Sequence, residues 1–264
     1  MGRSIACANQ KGGVGKTTTV LNLASYLARD GDRVLIVDLD PQGNATSGLG
    51  IERNLLERSV YDALADDADL ADAIVTVSDG LDLAPAAINL AGAEIEFAPL
   101  EGRERRLHRI LTTISPSYDL IFIDCPPSLG LLTVNALTAA DSVLVPLQCE
   151  YYALEGLTQL LATVELIRNH LNPDLELEGV VLTMADARTN LSGDVEAEAR
   201  RHLGPAVFET VIPRSVRLSE APSHGLSVMR YAPESRGAIA YSALADEFRT
   251  RRGRRTPVAV AVAS

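Results

Sequence analysis

Lysine is almost absent from this chain. Of 264 residues only Lys11 and Lys16 are lysine, both within the stretch NQKGGVGKTT, and the other 22 basic residues are Arg. Cysteine is scarce: Cys7, Cys125 and Cys149 cannot build a disulfide framework and none sits in C-x-x-C, so a reducing cytoplasm is the plain inference. Long apolar runs are lacking too. Stretches such as 34–37 and 120–123 are strand-sized and fall far short of the ~20 residues that cross a bilayer. The N-terminal MGRSIACANQ has no apolar core of a secretory signal. Positive charge is in deficit, and a net charge of −11 argues against a generic nucleic-acid binder.

The deficit is uneven. Residues 51–100 carry 11 acids against 2 Arg, whereas residues 200–264 carry 11 Arg against 5 acids. A basic C-terminal region on an acidic protein has two readings, a local polyanion site or Arg that merely caps and solvates the last helices. The acidic stretch likewise reads either as an attractor for a basic partner or as ordinary solvation.

At 47% hydrophobic the chain is long enough for one large core or two small ones. Short apolar runs alternate with longer amphipathic ones. Strands are predicted at 4–8, 33–37, 81–84, 120–123, 142–146, 179–183 and 207–211, and helices at 16–29, 59–65, 103–114, 131–138, 156–170, 194–202 and 233–251. The runs VLIVD and LIFID show no polar alternation, so both faces of their sheet must be covered. The expectation is an α/β fold with a doubly wound, mostly parallel sheet and helices on both faces. No internal repeat or long linker divides the chain, which predicts a single domain over 1–252 and a loose tail over 253–264.

The opening stretch lies between a predicted strand and a predicted helix, the context a phosphate-binding loop requires. It departs from G-x-x-x-x-G-K-[ST], because Gln10 stands where the first Gly belongs and Lys11 intrudes among the glycines. In Lys11-Gly12-Gly13-Val14-Gly15-Lys16-Thr17-Thr18 the glycines permit positive φ and let backbone N–H groups close around phosphate oxygens. The following helix N-terminus adds a positive dipole end. Lys16 is placed to reach β- and γ-phosphates, and Thr17 to offer its hydroxyl to Mg²⁺. Asp124 closes LIFID and is a natural holder of Mg²⁺, directly or through water. VLIVDLDPQGN ends in Asp38 and Asp40; acids at the C-terminal edge of a parallel sheet point into the ligand crevice.

Taken with DLDPQGNATSGLG, DCPPSLGLLTVNAL, QCEYYALEGL, LTMADARTN and VIPRSVRLSEAPSHG, the loop resembles that of the ParA/Soj-type chromosome- and plasmid-partitioning ATPases. These belong to the deviant-Walker P-loop group that includes MinD and the nitrogenase iron protein. The resemblance runs from about residue 5 to about residue 250. It implies that Lys11 reaches the nucleotide of a second subunit when two ATP-bound monomers close face to face, with Gly12 at the seam. It casts Lys11, Lys16 and Asp40 as catalytic, Asp40 orienting the attacking water, and Asp38 as a switch acid near the metal beside Thr17 and Asp124. Thr18 would contact the α-phosphate. Adenine would rest against Met184 and the 211–216 loop, particularly Pro213. That loop commonly reads PRN in the family and here has Ser215. The DNA contacts it implies are Arg188, Arg214 and Arg217, although SHGLS places Leu226 where a lysine is common.

The function implied is an ATP- and Mg²⁺-dependent switch. It would act as a homodimer that binds nonspecific DNA, hydrolyses ATP slowly under stimulation by a ParB-type partner, and is nucleoid-associated in the cytoplasm with no stable membrane anchor. A MinD-like membrane-associated ATPase is the alternative; against it, the tail RTRRGRRTPVAVAVAS carries Pro257 and only Val and Ala as apolar residues. An iron–sulfur role fares worse, since Leu131 stands seven residues after Asp124, where those relatives place a ligating Cys.

Overall fold

Runs of fully buried aliphatic residues form the centre of the sheet. In the computed structural model, which describes every residue except Met1, Asp67, Tyr151, Tyr152, Ala187 and 254–264, all five residues of β2 (Val34–Asp38) and of β5 (Leu120–Asp124) are buried. The other strands are β1 (Arg3–Cys7), β3 (Val75–Ser78), β4 (Leu81–Ala84), β6 (Ser142–Gln148) and β7 (Glu176–Thr183), in the order β3-β4-β2-β5-β1-β6-β7. Every pairing is parallel except that of β3 with β4.

The helices are α1 (Lys16–Arg29), α2 (Asn44–Gly48), α3 (Val60–Asp66), α4 (Ala93–Phe97), α5 (Arg106–Ile114), α6 (Leu131–Ala139), α7 (Ala153–His170), α8 (Asn190–Leu203), α9 (Val216–Glu220), α10 (Val228–Tyr231) and α11 (Arg236–Gly253). They bury two separate aliphatic clusters, one on each face of the sheet. One holds Ile123 and Val145, the other Phe122 and Leu144, as the period-2 alternation of side chains along a strand demands. The absence of polar alternation in VLIVD and LIFID is thereby explained.

One strand expectation needs correction, and one strand was not expected. Residues 207–211 do not form a strand: Gly204-Pro205-Ala206 is a 3₁₀ turn, and isolated bridges, Val180 to Val207 and Ala185 to Pro213, with the Ile212 amide donating to the Leu182 carbonyl, tie this stretch to the sheet. Conversely, the half-polar Val75–Ser78 becomes the antiparallel edge strand β3, returned on β4 by a tight turn in which Gly80 takes φ +72°. Most of the expected tail lies outside the described residues; Gly253 itself closes α11.

The strand order brings three strand ends to one place. Asp124 is in register with Asp38 on one side and with Cys7, just before the glycine-rich loop, on the other.

Candidate active site

The loop after β1 is shaped by glycine and braced by remote side chains. Gly13 and Gly15 take φ of +75° and +88°, a left-handed conformation that costs a side-chain-bearing residue energy, and Gly15 caps α1 with no side-chain cap. The free N–H groups and positive end of α1 therefore face the loop. Thr183 Oγ1 donates to the Val14 carbonyl at 2.9 Å. Asn9 accepts from the Lys11 amide at 3.0 Å and donates to the Pro146 carbonyl at 2.8 Å. The side chain of Lys16 is buried, and its ammonium donates to the Lys11 carbonyl at 3.3 Å.

Asp124, Asp38 and Asp40 are all buried, and their oxygens are used differently. Asp124 Oδ2 accepts from Thr17 Oγ1 at 2.7 Å, while its Oδ1 is buried without any hydrogen-bond partner. Burial and the neighbouring Asp38 charge raise its carboxyl well above the ordinary range. An orphaned carboxyl oxygen beside a threonine hydroxyl, at the foot of a phosphate loop, fits a hard divalent cation, whose charge would favour the ionised form. Among the described residues no group of three or more His, Cys, Asp or Glu side chains is placed to hold a metal. A cation here would thus draw its remaining ligands from water and phosphate, the usual habit of Mg²⁺.

Asp38 is committed elsewhere. Its Oδ2 accepts from the Thr46 amide at 2.8 Å and the Thr46 hydroxyl at 2.6 Å, and its Oδ1 accepts from the Asp40 amide at 3.2 Å. Burial pushes its carboxyl up to about 6, against the opposing pull of those bonds. Asp40 follows in a tight turn, where its Oδ1 accepts from the Gln42 amide at 2.9 Å and its carbonyl from the Gly43 amide at 2.8 Å.

The phosphate loop and the Asp40 turn border a cavity of about 460 Å³, with Gly13, Lys16, Thr17 and Thr18 on the loop side, Asp40 on the facing side, and Met184 and Leu218 beyond; Asp38 and Asp124 are buried and do not line it. Met184 takes φ +53°, the one positive-φ non-glycine among the described residues, a strained conformation at the mouth of a site. Pro213 borders a different, adjoining cavity of about 680 Å³ between α8 and α11. Ser215 is half-buried and precedes α9.

The expected trans lysine and the expected DNA-contacting arginines all have acidic partners. Lys11 Nζ lies 2.9 Å from Glu150, and Arg214 lies 4.0 Å from the same residue. Arg188 is bound to Asp186 through two nitrogens, at 2.8 and 2.6 Å, which holds the Asp186 carboxyl far below its usual range. Arg217 pairs with Glu220 at 2.7 Å. Glu150, Thr46 and Asn9 are absent from the sequence-based candidates. Thr46 follows Asp38 closely enough to be sought as a helix-start partner, but no sequence signal joins Lys11 to an acid 139 residues away.

A family model described as an AAA domain matches residues 2–177. The sporulation initiation inhibitor protein Soj of Bacillus subtilis is 62% identical over 248 residues, covering 94% of this chain and 98% of that protein. The chromosome partitioning protein ParA of Caulobacter vibrioides is 52% identical, covering 94% of each. A solved structure described as cobyrinic acid a,c-diamide synthase from Mycobacterium smegmatis, with bound ADP and magnesium, superposes with a TM-score of 0.85 at 41% identity over 99% of this chain and 100% of that one. With a glycine-shaped phosphate loop, a threonine–aspartate pair beneath it and this likeness over nearly the full length, the chain belongs to the ParA/Soj family of chromosome-partitioning ATPases.

Proposed function

We propose that the chain is an ATP-driven DNA-partitioning switch. ATP with Mg²⁺ occupies the cavity over residues 11–18, and two loaded chains close on each other, bind DNA without sequence preference, and separate after hydrolysis stimulated by a ParB-type partner. The observation that carries this reading is the Thr17–Asp124 pair with its unpartnered buried oxygen, next to a turn that presents Asp40.

In this reading Thr17 and Asp124 would hold the cation, which would supply positive charge against the phosphates. Lys16 leaves the Lys11 carbonyl for the phosphates, Thr18 receives the α-phosphate, and Asp40 orients the attacking water. Asp38 acts one step back, holding the Asp40 amide and the start of α2. Adenine extends past Met184 towards Pro213 and Ser215. Lys11 exchanges Glu150 for the partner's nucleotide. Gly12 supports closure: its φ is not positive, and a Cβ there would meet only Pro127, at 3.8 Å, so nothing within one chain demands glycine. Arg188, Arg214 and Arg217 supply the DNA contacts of the closed dimer.

The test is DNA binding by the purified chain with ATP, with ADP and with no nucleotide, over a salt series, using Asp40→Ala to hold the ATP state. Asp40→Ala should bind ATP normally and lose turnover by on the order of 100-fold or more. It should bind DNA only with ATP, and less as salt rises. Unchanged hydrolysis would remove Asp40 from its role. An ATP-trapped dimer that ignores DNA at every salt but binds anionic vesicles would replace this reading with a membrane-surface one.

A further inference from the structure

Asp40 sits in a turn that has little hold of its own. The segment Asp40-Pro41-Gln42-Gly43 is closed by the Gly43 amide on the Asp40 carbonyl, and Pro41 has no amide hydrogen to add. From eleven residues downstream, Arg53 reaches back over this turn. Its NH1 donates to the Gln42 carbonyl at 2.6 Å and its NH2 to the Pro41 carbonyl at 2.8 Å. The guanidinium packs against Gly43, where a Cβ would come within 2.5 Å of Nε. Arg53 Nε itself is buried and has no hydrogen-bond partner. A buried, unsatisfied donor on a charged group costs stability. It is tolerated here alongside two charge-assisted bonds to consecutive carbonyls, a geometry that suits a rigid fork and that an ammonium cannot reproduce.

We infer that Arg53 is a positioning residue for ATP hydrolysis: it clamps the 41–43 turn so that Asp40 keeps its place over the cavity. The inference rests on the proposed role of Asp40 as the water-orienting acid. Arg53 holds the two central carbonyls of the turn, the Gln42 backbone amide donates to Asp40 Oδ1, and Asp38 holds the Asp40 amide from the other side. Releasing Arg53 leaves the turn held only by its own short-range bonds, the Gly43 and Gln42 amides on Asp40, and by Asp38 at the strand end. The phosphate loop, Lys16, Thr17 and Asp124 are untouched by Arg53, so nucleotide affinity should not depend on it.

The experiment compares wild type, Arg53→Ala, Arg53→Lys, Asp40→Ala and the double variant Asp40→Ala/Arg53→Ala. It reads steady-state ATP hydrolysis at saturating ATP and Mg²⁺, and ATP affinity by equilibrium titration. Arg53→Ala should lower kcat by about tenfold or more, as misplacement of a catalytic group does, with ATP affinity unchanged within about twofold. Arg53→Lys should recover part of the loss, and Arg53→Ala should change nothing further when Asp40 is already Ala. A folded Arg53→Ala with wild-type kcat overturns the inference, as does equal loss of affinity and kcat. If Arg53→Ala does not fold, full turnover in Arg53→Lys overturns it alone. If Asp40→Ala hydrolyses ATP like wild type, the role of Asp40 fails first, which separates that failure from one confined to Arg53.

Discussion

At the scale of the residue, the buried Asp38 illustrates how a carboxylate is held by the two groups it organises. Its folded value of about 6 lies above the ~3.9 of an unfolded chain. The sign follows. Between those values the folded state binds more proton than the unfolded one, so this group's contribution to stability is present below about 4 and is lost as pH rises through 6. Thr46 opposes that loss, because its amide and hydroxyl bond the ionised form. Thr46→Ala removes the hydroxyl, which also accepts from the Ala86 amide. A hydrogen bond to a charged acceptor is worth roughly 1 kcal/mol more than one to a neutral acceptor. The drop in Tm caused by Thr46→Ala, measured in EDTA by calorimetry, should therefore be larger at pH 8 than at pH 5. Equal drops would mean that Asp38 is ionised at both.

At the scale of the element, β7 shows how an irregularity sets the site. Its register against β6 shifts between Val143, opposite Leu177, and Leu144, opposite Gly179, leaving Glu178 to accept from the Ser142 hydroxyl at 2.8 Å and to pair with Arg3. The bulge is possible because position 179 has no side chain: a Cβ there would lie 2.5 Å from the Phe208 ring and 2.8 Å from the Ala206 carbonyl. Downstream of the bulge, Thr183 reaches the Val14 carbonyl and Met184 reaches the cavity. Gly179→Ala should destabilise the chain by about 2 kcal/mol or more, read as a lower urea midpoint at unchanged m-value. A midpoint equal to wild type would show that the Ala206–Phe208 segment yields freely. By composition alone the following residues, VFETV, read as a strand. The Gly-Pro turn before them and the crowding at Gly179 leave them joined by single bridges instead.

At the scale of the molecule, a net charge of −11 must be reconciled with the DNA binding we propose. Arg188, Arg214 and Arg217 are exposed yet each faces an acid, so a phosphate has to displace a carboxylate. That exchange lowers what each arginine contributes while leaving it sensitive to salt. With the ATP state held by Asp40→Ala, adding Arg188→Ala or Arg217→Ala should weaken DNA binding. It should also flatten the slope of log affinity against log salt by about 0.9 for each phosphate no longer neutralised. A weaker affinity at unchanged slope would show that the arginine shapes the surface without touching phosphate.

Much of this protein was legible in its residues. VLIVD and LIFID announce buried parallel strands because every position is apolar up to the final acid, and a glycine-rich loop between strand and helix places Lys16 and Thr17 without further information. The roles of individual oxygens were not legible. That Arg53 clamps the turn beside Asp40 depends on how the chain folds back between residues 40 and 53, and that Asp124 keeps a free buried oxygen and Lys11 rests on Glu150 depends on which strands lie side by side. Hydrophobic periodicity encodes which face of an element is buried but is blind to its neighbours. Only the packed order β2-β5-β1-β6 brings these distant side chains within hydrogen-bonding reach.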